Sequence, residues 1–494
     1  MTQTSDIYVT AKSIANLIQT RDFDKVQIIT HIDADGLTAA GIAALALGRE
    51  EIVYDIKFVK QLDDPVISDL NDLLDSSNGS KILFWFTDLG SGMNRQINHL
   101  NPIITDHHAP SFLDYDIPVS ARTDLLAFGD VLEDQKEEFH LNPHLYNLDG
   151  TYDVSGAGTV YLVARELNKN NIDLAHLAII GAVGDLQNSR YHKLVGTNQR
   201  ILDDAKKAEK LEVKIDISSF GRETRPIQNV LMYSTDPYLP GLTMNEINCI
   251  NFLTRLEIPL KASGRQRHWV DLTLDERKSI LSELMELLLS KGIGHRDAKR
   301  LLGEVYILTA ETSGTPLHDA KEFATLLNSC GKYNRPEVGF QICLGDRSGQ
   351  LNSALDLLKG HKSVLMEGMQ YIKDLGIKDF GEVQYFNARN KIPDNIVGTI
   401  ASMILSNNDV NQNKTIFGFA ITEDGKNLKV SGRATRELVE RGLNLSTILR
   451  TTCEILGNGS VGGGHDIAAG GTIPLDKEQE FLEHAERLIR EQLK

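Results

Sequence analysis

Three short stretches of the chain gather residue types that bind cations or move protons. THIDADG (residues 30–36) places His31, Asp33 and Asp35 within five positions, FTDLG holds Asp88, and DHH supplies Asp106, His107 and His108. A fourth acid, Asp185, ends the apolar run IIGAVGD. Carboxylates with imidazoles, and no thiolate among them, suit Mn²⁺, Mg²⁺, Fe²⁺ or Zn²⁺. Four or more carboxylates with two histidines exceed one tetrahedral site. They suit two ions about 3.5–4 Å apart that share an aspartate. Such a pair neutralises a phosphate, holds a hydroxide at neutral pH and stabilises a leaving oxygen.

Taken singly, each stretch has an ordinary reading. HIDADG could be a turn, with Gly36 supplying a positive φ and the aspartates capping the next helix. DHH could be a polar surface loop, and Asp185 a hydrogen-bonded buried acid. The flanking sequence argues for a joint role. VQIIT (26–30), ILFWF (82–86) and PIIT (102–105) are short β-rich runs that lead into His31, Asp88 and Asp106. With IVYDIKFV (52–59) they alternate with helical patterns, which implies a mainly parallel sheet with helices on both faces. Ligands of such sheets bind beyond the carboxyl ends of the strands. Three strands would therefore deliver acids or imidazoles to one rim, and Gly36 would let the chain turn tightly into a helix starting near Leu37.

The rest of the chain sets the frame. At 494 residues it is too long for one ordinary core. Its 41% apolar and 24% charged residues are those of a globular protein. The alternating pattern spans 1–205 as a metal-binding catalytic domain. A mostly helical connector follows over 206–302 and includes DERKSILSELMELLLSKG (275–292). A second αβ region covers 303–494, with EVYIL (304–308), EVGFQICLG (337–345), EVQYF (382–386), TIFGFAI (415–421) and LKVSGRA (428–434) as its apolar runs and a helix around 349–376. The start, MTQTSDIYVT, lacks the basic and apolar pattern of a signal peptide, and no apolar stretch is long enough to span a membrane. Cys249, Cys330, Cys343 and Cys453 form no CxxC pair, as expected in a reducing cytoplasm. A net charge of −16 argues against nonspecific coating of nucleic acid but leaves room for a local basic groove.

HIDADG, the aspartate of FTDLG, DHH and GAVGD resemble, in order, the four motifs of the DHH phosphoesterase superfamily. SGRAT (431–435) and GGGHDIAAGG (462–471) resemble the signatures of the DHH-associated domain that follows the catalytic domain in RecJ-type nucleases. RPIQNVLMYSTDPYLPG and LLNSCGKYNRPEVG further resemble the archaeal RecJ-like branch, which includes the GINS-associated and Hef-associated nucleases. The resemblance implies an α/β architecture: a Rossmann-like parallel-sheet DHH domain, a helical connector, and a smaller αβ DHH-associated domain, with the active site in the interdomain cleft. It also implies the ligand set. His31 and Asp33 would hold one metal, Asp35 the other, and Asp88 both; His107 and Asp185 would complete the second ion's shell. Asp106 would orient an imidazole, and His108 would face the scissile phosphate. His31 is the departure, because bacterial RecJ-type sequences often carry aspartate there. Two divalent cations are implied, Mn²⁺ first, with Mg²⁺ or Co²⁺ permitted by the same residues.

On the substrate side, Arg433 offers a bidentate fork for phosphate. Gly462, Gly463, Gly464 and His465 offer exposed backbone N–H groups and an imidazole. Residues 426–450 carry Lys426, Lys429, Arg433, Arg436, Arg441 and Arg450 against Glu437 and Glu440, a local basic patch. GRQRH (264–268) is a second basic spot, and His140 and His144 read as structural. The expectation is a single-strand-specific exonuclease acting on DNA, and on RNA, in replication or repair, with 5′-to-3′ direction favoured over 3′-to-5′. A short-oligonucleotide or cyclic-dinucleotide phosphodiesterase and a catalytically silent replisome scaffold are the alternatives. GINS or a helicase is implied as partner by the resemblance alone.

Overall fold

The computed structural model describes residues 4–77, 79–110, 139–234, 236–405, 410–457 and 459–493. The chain forms two compact units, Met1–Leu357 and Leu358–Lys494.

Five parallel strands organise the first unit: β1 (Lys25–His31), β2 (Tyr54–Val59), β3 (Ile82–Thr87), β4 (Ile103–Thr105) and β5 (His140–Leu141), in the order β2-β1-β3-β4-β5. Ile28, Ile29, Phe84, Trp85 and Phe86 are fully buried, as strands covered on both faces must be. The helix Ala34–Arg49 leaves β1 after two residues and is buried along most of its length, so it is apolar nearly all round. The helices Gly156–Leu167 and Ala175–Gly184 pack against it.

Beyond the sheet come β6 (Leu211–Ile217), a small hairpin of β7 (Lys261–Ala262) and β8 (Arg265–Gln266), and β9 (Leu302–Leu308), which pairs antiparallel with β6. The helices Ile227–Met232, Glu246–Arg255 and Leu274–Ser290 lie between them and share a core with Trp269. The last of these starts with a capping box, Thr273 and Glu276 satisfying each other's backbone N–H groups. The basic spot GRQRH is neutralised here: Arg265 pairs with Asp271 at 2.9 Å and Arg267 with Glu276 at 2.7 Å.

The run EVGFQICLG, expected among the strands of the second αβ region, is a helix, Pro336–Cys343. Pro336 sits in its first turn, where a missing N–H costs nothing. Gly339 brings it against Leu37 of the helix that follows β1.

The second unit contains β10 (Lys378–Phe380), β11 (Val383–Asn387), β12 (Thr415–Ile421), β13 (Asn427–Arg433), β14 (Val461–Gly464) and β15 (Ala468–Pro474), ordered β10-β11-β12-β13-β15-β14. Only β11 and β12 pair in parallel; the other neighbours are antiparallel. Phe417, Phe419, Leu449 and Phe481 fill the core between the sheet and the helices Leu445–Leu456 and Glu478–Gln492. Phe481 meets Phe417 and Phe419 edge-on, with centroids 5.4 and 5.8 Å apart. All four cysteines are free and buried. Among the described residues no helix is long and apolar enough to cross a membrane.

Candidate metal centre

Because β1, β3 and β4 are parallel, their carboxyl ends share one rim. His31 ends β1, Asp88 follows β3 and Asp106 follows β4. Asp33 and Asp35 open the helix Ala34–Arg49, Asp33 as its N-cap, and Asp185 terminates the helix Ala175–Gly184. Asp88 adopts a left-handed conformation (φ 59°), which aspartate tolerates better than most residues, and its N–H donates to Thr105 O at 2.9 Å. The helix Gly156–Leu167 approaches so closely that a Cβ on Gly156 would lie 2.4 Å from Asp88 Oδ1.

The spacing brings the predicted ligands into two overlapping groups. His31, Asp33 and Asp88 form one, and Asp35, Asp88, His107 and Asp185 the other; within each group one ligand atom per residue lies within 4.8 Å of the rest. Asp88 belongs to both, and also to a third grouping with His107 and His108. His107 Nε2 stands 3.1 Å from Asp185 Oδ2, 3.4 Å from Asp88 Oδ1 and 3.7 Å from Asp35 Oδ2. Its other ring nitrogen, Nδ1, is 2.6 Å from Gly150 O, so Nδ1 carries the proton. Nε2 of His107 therefore points into three carboxylates.

Several of these atoms lack any hydrogen-bond partner although they are buried: both oxygens of Asp88, Nε2 of His107 and Nδ1 of His31. His31 Nδ1 lies 2.8 Å from Asp33 Oδ2, but without hydrogen-bond alignment. Buried polar atoms are nearly always paired, and buried like charges are costly. A divalent cation satisfies the lone pairs and the charge together, so the residues fit a metal. The cluster is reachable, because His31, Asp33 and Asp185 retain 21–35% side-chain exposure.

Electrostatics point the same way. Burial, with Asp88 and Asp185 adding repulsion, holds the Asp35 carboxyl well above the usual range. Burial opposes ionisation of Asp88 too, yet the imidazoles of His107 and His31 bring it below the usual range. Burial disfavours charge on His107, but Asp185 and Asp88 raise its affinity for a proton well above normal. Without a metal, a proton on imidazole is the available counter-charge. Asp35 is the best supported acid: its oxygens accept from Gly156 N at 2.6 Å and Ala157 N at 3.0 Å, at the positive end of a helix.

Asp33 combines the two readings of its motif. Oδ1 caps the helix by accepting from Gly36 N at 3.0 Å, while Oδ2 faces His31. The helix starts at Ala34 rather than near Leu37, so Gly36 is helical and needs no positive φ. It is required for space: a Cβ there would sit 2.4 Å from His31 O.

Asp106 faces a different set of partners. Its oxygens accept from Ser91 N at 2.9 Å and from the backbone N–H groups of His107 and His108, and it meets His108 Nδ1 at 2.8 Å. Ser91 Oγ is in turn held by Asn142 Nδ2 and His140 Nε2, each at 2.8 Å. Burial pulls His140 down to about 4, so it is neutral and structural. Gly150, Ser91 and Asn142 orient the DHH loop, and no sequence motif singles them out. Ser91, three residues beyond Asp88 in DLGSG, is the nearest to a signal. His108 is exposed at the edge of the cluster.

In the second unit Arg433 donates from Nε to Ser402 Oγ (2.8 Å) and from Nη1 to Gly432 O (2.7 Å). Burial lowers it to about 10, and among the described residues no carboxylate pairs with it. On β13, Lys429, Ser431 and Arg433 alternate onto the face opposite the Phe417 core. Gly470 and Gly463 continue the row opposite Ser431. Gly463 opens onto free space, His465 is exposed, and Gly462 and Gly464 instead pack closely on Cys453 and Ala469. The basic patch is divided, because the helix carrying Arg450 covers the other face of the sheet.

This is a parallel αβ sheet with an acid–imidazole cluster at its carboxyl rim, followed by an αβ unit with an arginine that no carboxylate pairs among the described residues. Residues 219–302 match the family model of the DHH-CID domain, and residues 381–491 that of the DHHA1 domain. Over 471 residues the chain is 30% identical to Uncharacterized protein MJ0831 of Methanocaldococcus jannaschii, covering 95% of this chain and 94% of that one. Its fold is similar to RecJ from Thermus thermophilus in complex with Mn²⁺, with a TM-score of 0.57 at 14% identity over 98% of this chain and 55% of that one. The chain thus spans about half the length of that RecJ. It is also similar to CDC45 from Entamoeba histolytica, with a TM-score of 0.63 at 12% identity and 97% of each chain covered. The chain belongs to the DHH superfamily and has a RecJ-like fold.

Proposed function

We propose that this chain is a metal-dependent, single-strand-specific exonuclease that hydrolyses DNA, and also RNA, to mononucleotides from the 5′ end. One observation carries the reading: Nε2 of His107 and both oxygens of Asp88 are buried, without hydrogen-bond partners, and gathered with further carboxylates. Asp88 would be the shared ligand of two cations, with His31 and Asp33 serving one and Asp35, His107 and Asp185 the other. Divalent cations, Mn²⁺ before Mg²⁺ or Co²⁺, supply Lewis acidity toward phosphate and acidify water. RecJ from Thermus thermophilus is solved in complex with Mn²⁺ and in complex with Mg²⁺, which supports divalent cations here.

The protein's own groups do the remaining work. The Nδ1–H of His107, bonded to Gly150 O, fixes the ring so that Nε2 points at the carboxylates. Asp106 orients His108 through Nδ1, and the exposed ring would deliver a proton to the leaving oxygen. Arg433, with Lys429 and the bare backbone at Gly463, would bind the phosphodiester.

End-labelled single-stranded DNA and RNA of several lengths, incubated with Mn²⁺, test the proposal. Mononucleotides released from the 5′ end of long strands are expected. Release from the 3′ end would reverse the direction, and cleavage of dinucleotides alone would replace the nuclease with a short-oligonucleotide phosphodiesterase.

A further inference from the structure

The stretch LLNSCGK (326–332) has no part in the ligand set, yet it touches the metal-binding loop at two points. It lies in the helix Ala320–Lys332. Asn328 Oδ1 accepts from Ala34 N at 2.8 Å, although 294 positions separate them in sequence. One turn on, Gly331 meets the same loop: a Cβ there would lie 2.0 Å from Ile32 O. Ala34 is also flanked by Gly184, the residue before Asp185, whose Cβ would lie 2.8 Å from Ala34 Cβ and 3.3 Å from Ala324 Cβ. The helix Ala320–Lys332 thus grips residues 32–34 from one side.

The chemistry of a helix start gives this grip a function. The first N–H groups of an α-helix have no partner inside the helix. In the helix Ala34–Arg49, Asp33 Oδ1 satisfies Gly36 N, and the Ala34 N–H is satisfied only from outside, by Asn328. If Ala34 N were released, the Asp33 carboxylate next to it would be the nearest acceptor, and Oδ2 would be drawn away from His31. The backbone bearing His31, Asp33 and Asp35 would also lose its fixed entry into the helix.

We propose that Asn328 is a positioning residue for the metal centre: by holding the Ala34 N–H it leaves Asp33 Oδ2 free for a cation and fixes the HIDADG loop. The inference rests on the metal-centre reading given under Proposed function. Asn328 acts through Ala34 and touches neither metal nor substrate. Partners of this kind typically contribute 10–100-fold to metal affinity. The role calls for an acceptor and not for an amide, so a carboxylate serves as well, and its charge is favourable at a helix N-terminus.

The test is titration of the full chain with Mn²⁺ alone, followed by calorimetry and by the electron paramagnetic resonance of free Mn²⁺. Folding of each variant is checked by circular dichroism. Asn328→Ala should weaken Mn²⁺ binding about 10-fold or more. Asn328→Ser, whose hydroxyl is too short to reach, should do the same and serves if the alanine variant folds poorly. Asn328→Asp should restore affinity to within about threefold, given the equivalent acceptor. A purely structural asparagine would lower the melting temperature of the alanine and serine variants and leave the Mn²⁺ affinity of the folded chain unchanged. That result overturns the proposal. It leaves the metal centre standing if Asp88→Asn still abolishes binding, whereas a wild-type chain that takes up no Mn²⁺ removes both.

Discussion

Two buried clusters of charge in the first unit are built on opposite principles. Around Arg222, two acids face two guanidinium groups. Asp216 accepts from Arg222 Nη2 (2.7 Å), Arg277 Nη1 (3.3 Å), Trp269 Nε1 (2.9 Å) and Ile217 N (2.8 Å). Asp319 accepts from Arg222 Nη1 (2.9 Å) and Lys321 N (2.9 Å). Every carboxylate oxygen there has a donor, and the charges cancel. At the rim of the parallel sheet Asp33, Asp35, Asp88 and Asp185 gather around imidazoles with no guanidinium or ammonium group among them, and both Asp88 oxygens are unpartnered. The first arrangement balances its own charge, although Nε of Arg222 and of Arg277 lack a hydrogen-bond partner, and it ties β6 to the start of the helix Ala320–Lys332. The second calls for positive charge from outside. A surplus of buried negative charge with open lone pairs, and not burial of charge as such, separates a binding site from a structural network.

Four changes sharpen that contrast. Asp88→Asn, which keeps the left-handed backbone tolerable, should cut hydrolysis of single-stranded DNA by at least about 1,000-fold, beyond the loss typical of an outer partner. Arg222→Met should instead destabilise the fold by about 3–5 kcal/mol in urea titration, since it strands Asp216 and Asp319 without their counter-charge.

A third change concerns pH. Glu322, beside the Arg222 network, is pushed up to about 7, first by burial and then by Asp319. A carboxyl whose folded pKa exceeds its unfolded value binds its proton more tightly in the native state. Its stabilising contribution is complete below the unfolded pKa of about 4.3 and is lost as pH rises through about 7. Glu322→Gln should flatten that decline, by at most about 3 kcal/mol, in denaturation curves between those pH values. The smallest effect is expected for Arg433→Lys. It should weaken oligonucleotide binding about 10-fold through loss of the planar fork, with Mn²⁺ uptake unchanged.

The parts legible in the sequence are those where a local pattern and a chemical type coincide. VQIIT, ILFWF and PIIT announce buried strands by composition, and the acids and imidazoles after them stand at the strand ends. EVGFQICLG misleads because a short apolar run does not distinguish a buried strand from a buried helix. Pro336 just before it fits a helix start. Gly36 is indispensable, but for space and not for a turn: it fits a crowded helix start beside His31 O and adopts no left-handed conformation. Gly150, Ser91, Asn142 and Asn328 carry no charge and meet partners far away in sequence. Their importance exists only in three dimensions, and spacing along the chain does not reveal it.

The most direct test of the metal centre is calorimetric titration of Mn²⁺ into the wild-type chain and into Asp88→Asn. Two equivalents bound by the wild type and none by the variant are expected, because both ligand groups share Asp88. Equal uptake by the two proteins would contradict the assignment of the cluster as a shared two-metal site.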